Sequence, residues 1–381
     1  MLLLDGMRSI KGPPSFPQTL GISRMIINYD IATMSTKRNP KDSMQSTWRR
    51  LDRSEWTSSH WFFELLGIHP TNLNEAIPVH PKTDKVPYTP EWQLHRWVIF
   101  HALVPLAIHQ FLASYLGHNL SAFQAYLFYA MAFKFIAIHE LHALRKVGHK
   151  TGFLDGDTHE RDDVPDVGVS KTVISLLLTS FSRPLFTVFL TYRADTLPSE
   201  TNWLWLPFEA GLYGIILDFW FYWYHRLMHE LPGLWKYHRT HHLTKQPNPL
   251  LTLYADHEQE LFDIAGIPLL TFFSMRAMGF PMGFYEWWVG HQFVVFAELA
   301  GHSGLRVHAE PPNPLTFLLR MFDCELIIED HDMHHRQGWR TSGNYGKQTR
   351  LWDRIFGTCK DRIECREDNI DWDTPVPLPL F

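Results

Sequence analysis

The sequence predicts an all-α integral membrane protein with a cytosolic, histidine-rich helical cap that holds two metal ions. Three observations carry this. Apolar residues gather in stretches near the roughly 20 that a bilayer core requires. Eight histidines fall in three tight groups in the second half of the chain. Within each group the spacing is i, i+3 or i+4, which places side chains on one helical face.

Residues 1–90 are polar, rich in Pro and Ser and without sustained periodicity. They are expected to form a cytosolic N-terminal lead with short helices, for example around Trp61–Leu66. The apolar run Leu2–Leu4 is too short for a secretory signal, so insertion is expected to rely on internal segments. Residues 91–204 are expected to hold transmembrane helices and a cytosolic loop. Apolar segments at 96–116 and 121–138, joined through Gly117–Leu120, read as a transmembrane hairpin. Residues 139–170 are polar and turn-rich and are expected to be an exposed loop. The stretch 172–192 contains Arg183-Pro184, which should kink it or limit its depth.

The aromatic stretch 203–224 runs into the first histidine pair. Two further apolar stretches, 261–280 and 283–300, are separated by Pro281. They carry Asp263, Arg276, Glu286, His291 and Glu298, and charge is costly at a bilayer centre. Four spans plus a re-entrant hairpin, or six spans, are both compatible. Either returns the chain to one side, so all three histidine groups share it. Lys and Arg concentrate in 139–171 and in the segments after 222 and 300, which makes that side cytosolic. Residues 205–360 form the expected catalytic domain and 361–381 a C-terminal tail.

Composition narrows the class further. The net charge of −5 argues against a nucleic-acid surface. Cys324, Cys359 and Cys365 form neither a disulfide framework nor a CxxC pair and are expected to be reduced thiols.

The groups are His225 and His229; His238, His241 and His242; and His331, His334 and His335. Each can aim its imidazoles at one point. Neutral imidazole suits iron, copper, nickel and zinc, and eight ligands exceed what one tetrahedral zinc needs. Two metal ions held by several helices is the reading. His139-Glu-Leu-His142 fails as a zinc-protease motif because Ala143 stands where the second histidine would be. His95, His101, His109 and His291 are expected to be hydrogen-bonded helix histidines, and His308 a solvated one. Asp218 and Tyr222 share the helical face of His225 and His229. A bare carboxylate in that aromatic helix would be expensive; orienting an imidazole through its other ring nitrogen would explain it, and a structural pair is the alternative. Glu329, Asp330 and Asp332 could do the same or form a solvated flank.

The stretches Asp218–His229, Leu234–His242, Asn344-Tyr-Gly346 and Leu351–Thr358 resemble those of the fatty acid hydroxylase/sterol desaturase superfamily, membrane non-haem di-iron oxygenases. The likeness covers about 205–360. It implies that the eight histidines bind metal, joined by His257 in Tyr-Ala-Asp-His-Glu and His302 in Gly-His-Ser-Gly, with no catalytic side chain beyond the ligands. It implies two iron ions, O2, and electrons from NAD(P)H through a separate reductase and b-type cytochrome. It also implies a multi-pass protein of the endoplasmic reticulum membrane. The substrate would be an apolar lipid, sterol, or terpenoid or polyketide product, hydroxylated or desaturated at an unactivated C–H bond. Sterol C-5-type desaturation and alkylglycerol ether oxidation are the alternatives within this chemistry. A membrane zinc- or copper-handling protein is the distant one, because its ligands should line the spans. Asn344 and Trp352-Asp353 are expected to dock the C-terminal segment under the site.

Overall fold

Proline, glycine and small polar residues set the ends of the long helices. The computed structural model describes residues 39–381, so Leu2–Leu4 lies outside the described residues. Helix α1 (Ser58–Leu66) covers the short helix expected around Trp61. Helix α2 (Glu91–Leu116) starts after Pro90, and α3 (Ala122–Thr151) starts on a capping box in which Ser121 and Gln124 bond reciprocally. Helix α3 continues well past Ile138 and takes in much of the segment expected to be an exposed loop. No proline lies between Ile138 and Gly152, and Leu141, Leu144, Val147 and Thr151 bury one helical face. The helix stops at Gly152 (φ 71°), where a Cβ would lie 2.2 Å from the Pro78 carbonyl oxygen.

Helix α4 (Val169–Thr191) runs through Pro184. Proline lacks the N–H that would satisfy the Ser180 carbonyl, and Lys134 of α3 supplies a donor instead at 3.4 Å. Helix α5 (Leu206–Glu230) is followed by α6 (Pro232–His238), α7 (His257–Leu261), a π turn (Phe262–Gly266) and α8 (Ile267–Ala277). Then come α9 (Phe284–Gly301), α10 (Thr316–Met321), α11 (Ile328–Gln337) and α12 (Leu351–Phe356).

Three helices, Glu91–Leu116, Ala122–Thr151 and the helical run Asp166–Thr191, are long and apolar enough to cross a membrane. Their outer faces expose large apolar side chains, among them Phe111, Phe123, Phe135 and Phe189. A patch of that kind is unfavourable in water and natural against lipid. Helix α9 sits inside: every residue but Glu286 and Leu299 is buried, against α2, α3, α4, α5 and α11. A helix whose apolar residues are spread over every face belongs in a core, and the buried Glu298 of α9 is paired with Arg183 and Lys347.

The segment just before α2 is tied to the C-terminal segment. Strand β1 (Val86–Tyr88) pairs in parallel with β2 (Ile370–Pro375), with Val86 opposite Ile370. Arg306 and Glu364 form a fully buried ion pair at 2.9 Å, and Arg306 also donates to the Asp84 and Lys85 carbonyls.

Candidate metal centre

Five elements converge on one buried region. The C-terminal end of α5 carries His225 and His229, one turn apart. The end of α6 and the tight turn His241–Leu243 carry His238, His241 and His242. Helix α11 carries His331, His334 and His335, and His302 caps the end of α9. All nine are buried.

These nine rings form two clusters. His225, His229, His238, His242 and His334 make one, and His241, His302, His331 and His335 the other. Within each, the ligand atoms lie within 4.8 Å of one another. No carboxylate or thiolate joins either cluster among the described residues. The motifs do not each serve one point, as the spacing suggested. Adjacent residues on a helix or tight turn diverge by about 100–120°, so both His-His pairs straddle the clusters. His331 and His335, one turn apart, serve one cluster while His334 turns to the other.

The second ring nitrogens show what the first are for. Nδ1 of His225, His229 and His334 donates to the carbonyls of Tyr345 (2.7 Å), Trp339 (2.6 Å) and Gly343 (2.6 Å). Nδ1 of His238 donates to Gln259 Oε1 (2.9 Å), that of His302 to the Glu298 carbonyl (2.7 Å), and that of His335 to the Thr244 carbonyl (3.0 Å). A neutral imidazole has one N–H, so the Nε2 of each of these rings presents a lone pair. Yet the Nε2 atoms of His229, His238 and His334 all stand 3.0 Å from His242 Nε2, which can donate to one of them at most. His302 Nε2 likewise stands 3.0 Å from His331 Nε2 and 3.4 Å from His241 Nε2. His225 Nε2 and His335 Nε2 are buried with no partner.

Protonation does not relieve this crowding. Burial, then the neighbouring imidazoles, hold His241, His242, His331 and His335 neutral well below the usual histidine range, and burial pushes His302 down to about 4. A first-row cation bound at about 2.0–2.1 Å spaces its ligand nitrogens about 3–4 Å apart. The donor set therefore fits one such ion per cluster.

His257 stands apart. It opens α7 with its side chain 74% exposed, 3.4 Å from Glu260. Residues two apart on a helix face opposite ways, so Gln259 is the α7 residue that reaches the cluster, through His238. His308 is half-buried and lies 3.6 Å from Glu310 rather than being freely solvated.

The acids expected to orient imidazoles bond to backbone amides or to arginines instead. Asp218, fully buried, accepts from the amides of Lys347, Gln348 and Thr349 and from the Thr349 hydroxyl. Asp353 accepts from the amides of Tyr345 and Gly346 and from Thr358. The two carboxylates clamp the loop whose Tyr345 carbonyl holds His225. Gly346 has no room for a side chain there, since a Cβ would lie 2.5 Å from the Thr349 carbonyl oxygen. The Tyr222 hydroxyl meets Thr358 and Arg226, not a histidine. Glu329 accepts the amides of Ile363, Glu364 and Cys365; Asp330 caps α11 and pairs with Arg362; Asp332 pairs with Arg161. None of the three is solvated. Asn344 (φ 46°) bridges the Asp330 carbonyl and the Lys360 amide, docking the C-terminal segment under the clusters.

The matching family model, described as fatty acid hydroxylase, covers residues 210–358. The chain is 44% identical to a fatty acid hydroxylase of Lecanicillium sp over 310 residues, 77% of this chain and 84% of the relative. It is 31% identical to methylsterol monooxygenase 2-1 of Arabidopsis thaliana, over 49% of this chain and 67% of that one. It is 27% identical to human alkylglycerol monooxygenase, over 60% of this chain and 47% of that one. No solved structure matches the chain.

Proposed function

The chain belongs to the fatty acid hydroxylase family, and from that premise we propose that it is a membrane-bound, O2-dependent di-iron oxidoreductase that hydroxylates an unactivated C–H bond of a lipid-like substrate. The observation that carries the reading is the convergence of lone-pair Nε2 atoms into a group of five and a group of four. His225, His229, His238, His242 and His334 would hold one iron, and His241, His302, His331 and His335 the other.

Two irons there would supply the reductive activation of dioxygen and the oxidising power for a C–H bond, one oxygen atom entering the alcohol and the other leaving as water. The chain's own residues supply position and dryness. Backbone carbonyls fix the ring tautomers, and the Asp218–Asp353 clamp fixes the carbonyl that holds His225. Leu217 and Phe221 of α5 and Val294 of α9 are buried apolar residues, with the Phe221 ring 4.9 Å from that of His225. No acid–base side chain is assigned.

Electrons would come from NAD(P)H through a separate reductase and b-type cytochrome; the described residues form no nucleotide-binding βαβ unit. Family resemblance suggests an endoplasmic reticulum protein, and the distribution of Lys and Arg supports a metal face in the cytosol. Hydroxylation is preferred to desaturation because of the identity to a fatty acid hydroxylase over most of both chains. The test is elemental analysis of detergent-purified protein beside a His238→Ala/His241→Ala double variant. About two irons per chain, lost in the variant, together with hydroxylated lipid in expressing cells, is the expected result. Tightly held zinc with no oxidised product would overturn the proposal.

A further inference from the structure

Between α2 and α3 runs a groove of about 740 Å³ that shares no residue with the histidine clusters. Its walls include Phe100, Val104, Ile108, Leu127, Met131 and Phe135, all of them exposed. Both helices are long and apolar enough to cross a membrane, so the groove opens sideways onto lipid. Helix α3 lines it from Leu127 to His139, about 18 Å of helix at 1.5 Å per residue. The volume lies within the range of sites that take a small molecule.

One end of the groove is polar. His101 and His139 line it, their ring centroids 5.0 Å apart, and the Phe381 ring stands 5.5 Å from that of Phe100. His101 Nδ1 donates to the Trp97 carbonyl (2.8 Å), and His139 Nε2 to the Leu380 carbonyl (3.1 Å). A neutral imidazole has one N–H, so His101 Nε2 and His139 Nδ1 each keep a lone pair. Pro105, also in the lining, lacks the N–H that the His101 carbonyl would take in a regular helix. This end therefore offers acceptors and no spare donor. Among the described residues no Asp, Glu, Lys or Arg lines the groove. Phe135 is the last large exposed apolar residue of α3, and Lys146 and Lys150 are exposed beyond it. The histidine pair thus sits where the apolar outer face gives way to charge, the level of lipid head groups.

Apolar contact alone selects nothing here, because neighbouring lipid chains offer the same contact. The head group discriminates. A carboxylate brings only acceptors to acceptors, and an ammonium brings a charge that no lining residue compensates. A hydroxyl brings a proton that a ring nitrogen can take. A rigid body also loses less freedom than a flexible chain when held in an open groove. We propose that this groove binds a sterol, with its hydroxyl on the His101–His139 pair and its fused rings between α2 and α3. The site is separate from the metal centre, so the proposal stands independently of the oxygenase reading.

The test is saturable binding of tritiated cholesterol to the detergent-purified protein, with unlabelled cholesterol, cholestenone, cetyl alcohol and palmitate as competitors. Cholestenone keeps the rings but carries a carbonyl in place of the hydroxyl. Cholesterol is expected to compete about tenfold or more strongly than each of the other three. A His101→Phe/His139→Phe double variant should bring cholesterol and cholestenone to within about threefold of each other. Ala132→Phe, which puts a ring into the groove, should abolish saturable binding. Binding that does not saturate, a competitor equal to cholesterol, or a margin that survives in the double variant overturns the inference. Where a variant does not fold, the wild-type competition decides the matter.

Discussion

His241 and His242 are neighbours in the chain, their rings stand 5.6 Å apart, and each belongs to a different cluster. One peptide unit therefore links the two proposed metal positions. Removing the His242 ring takes a nitrogen from the five-histidine cluster and leaves the four-histidine cluster complete. His242→Ala is expected to lower bound iron from about two towards about one per chain, read by elemental analysis. Loss of both irons would mean that the clusters cannot be loaded separately.

His257→Ala is expected to leave iron content unchanged and to shift stability by no more than about 0.5 kcal/mol. The ring is largely exposed and belongs to neither cluster. A fall in bound iron would return His257 to the ligand set.

Asp353→Ala strips the Tyr345 and Gly346 amides of their acceptor, at about 1–3 kcal/mol for each unsatisfied group. Because Tyr345 orients His225, iron affinity should also fall about 10- to 100-fold. Chelator competition measures the second effect and thermal unfolding the first. A stability loss with unchanged affinity would show that the clamp is structural alone.

Gly346→Ala tests the same clamp by crowding. The added methyl meets the Thr349 carbonyl and both clamping carboxylates, so a loss of about 1–3 kcal/mol is expected. An unchanged melting temperature would show that the loop has room to move.

The metal-free protein should become less stable as the pH falls. The cluster rings outside the spans have folded pKa values below the ordinary value of about 6.5, His302 at about 4. Above that ordinary value both states are neutral and this contribution does not vary. As the pH falls from about 6.5 towards about 4, the unfolded chain takes up protons that the buried rings refuse, and stability is lost. Near pH 5.5 each such ring costs about 1.4 kcal/mol. Thermal unfolding of chelated protein at neutral and mildly acid pH measures it, and equal melting temperatures would contradict a buried, neutral cluster.

Much of this was legible in the residues. Spacing alone pointed to helices that carry the grouped histidines on shared faces, because a helical face is a local property. What spacing does not carry is the partner across space. Which cluster His334 joins depends on where the packing of α11 on α9 brings its ring, 4.3 Å from that of His225. Asp218 was identifiable as a carboxylate too costly to leave bare, but not as an acceptor for amides some 130 positions downstream. Gln259 was overlooked beside His257 because the sequence does not show where α7 begins, and that decides which residue turns inward. The segment after Ile138 has the composition of a loop because polar residues outnumber the few apolar ones, Leu141, Leu144 and Val147, that form its buried face.

The link between the segment before α2 and the segment around β2 has a bearing on the order of assembly. Asn369 bonds the Asp84 carbonyl across 285 residues, and β1 has no strand partner until β2 exists. At about 5–20 residues per second, the ribosome needs roughly 15–60 s to span that interval. The membrane helices are thus inserted, and His225 to His242 are exposed, well before α11 and its anchoring tail arrive. A nascent chain that has reached α10 carries six of the nine rings, so neither cluster has its full set of nitrogens until α11 is made.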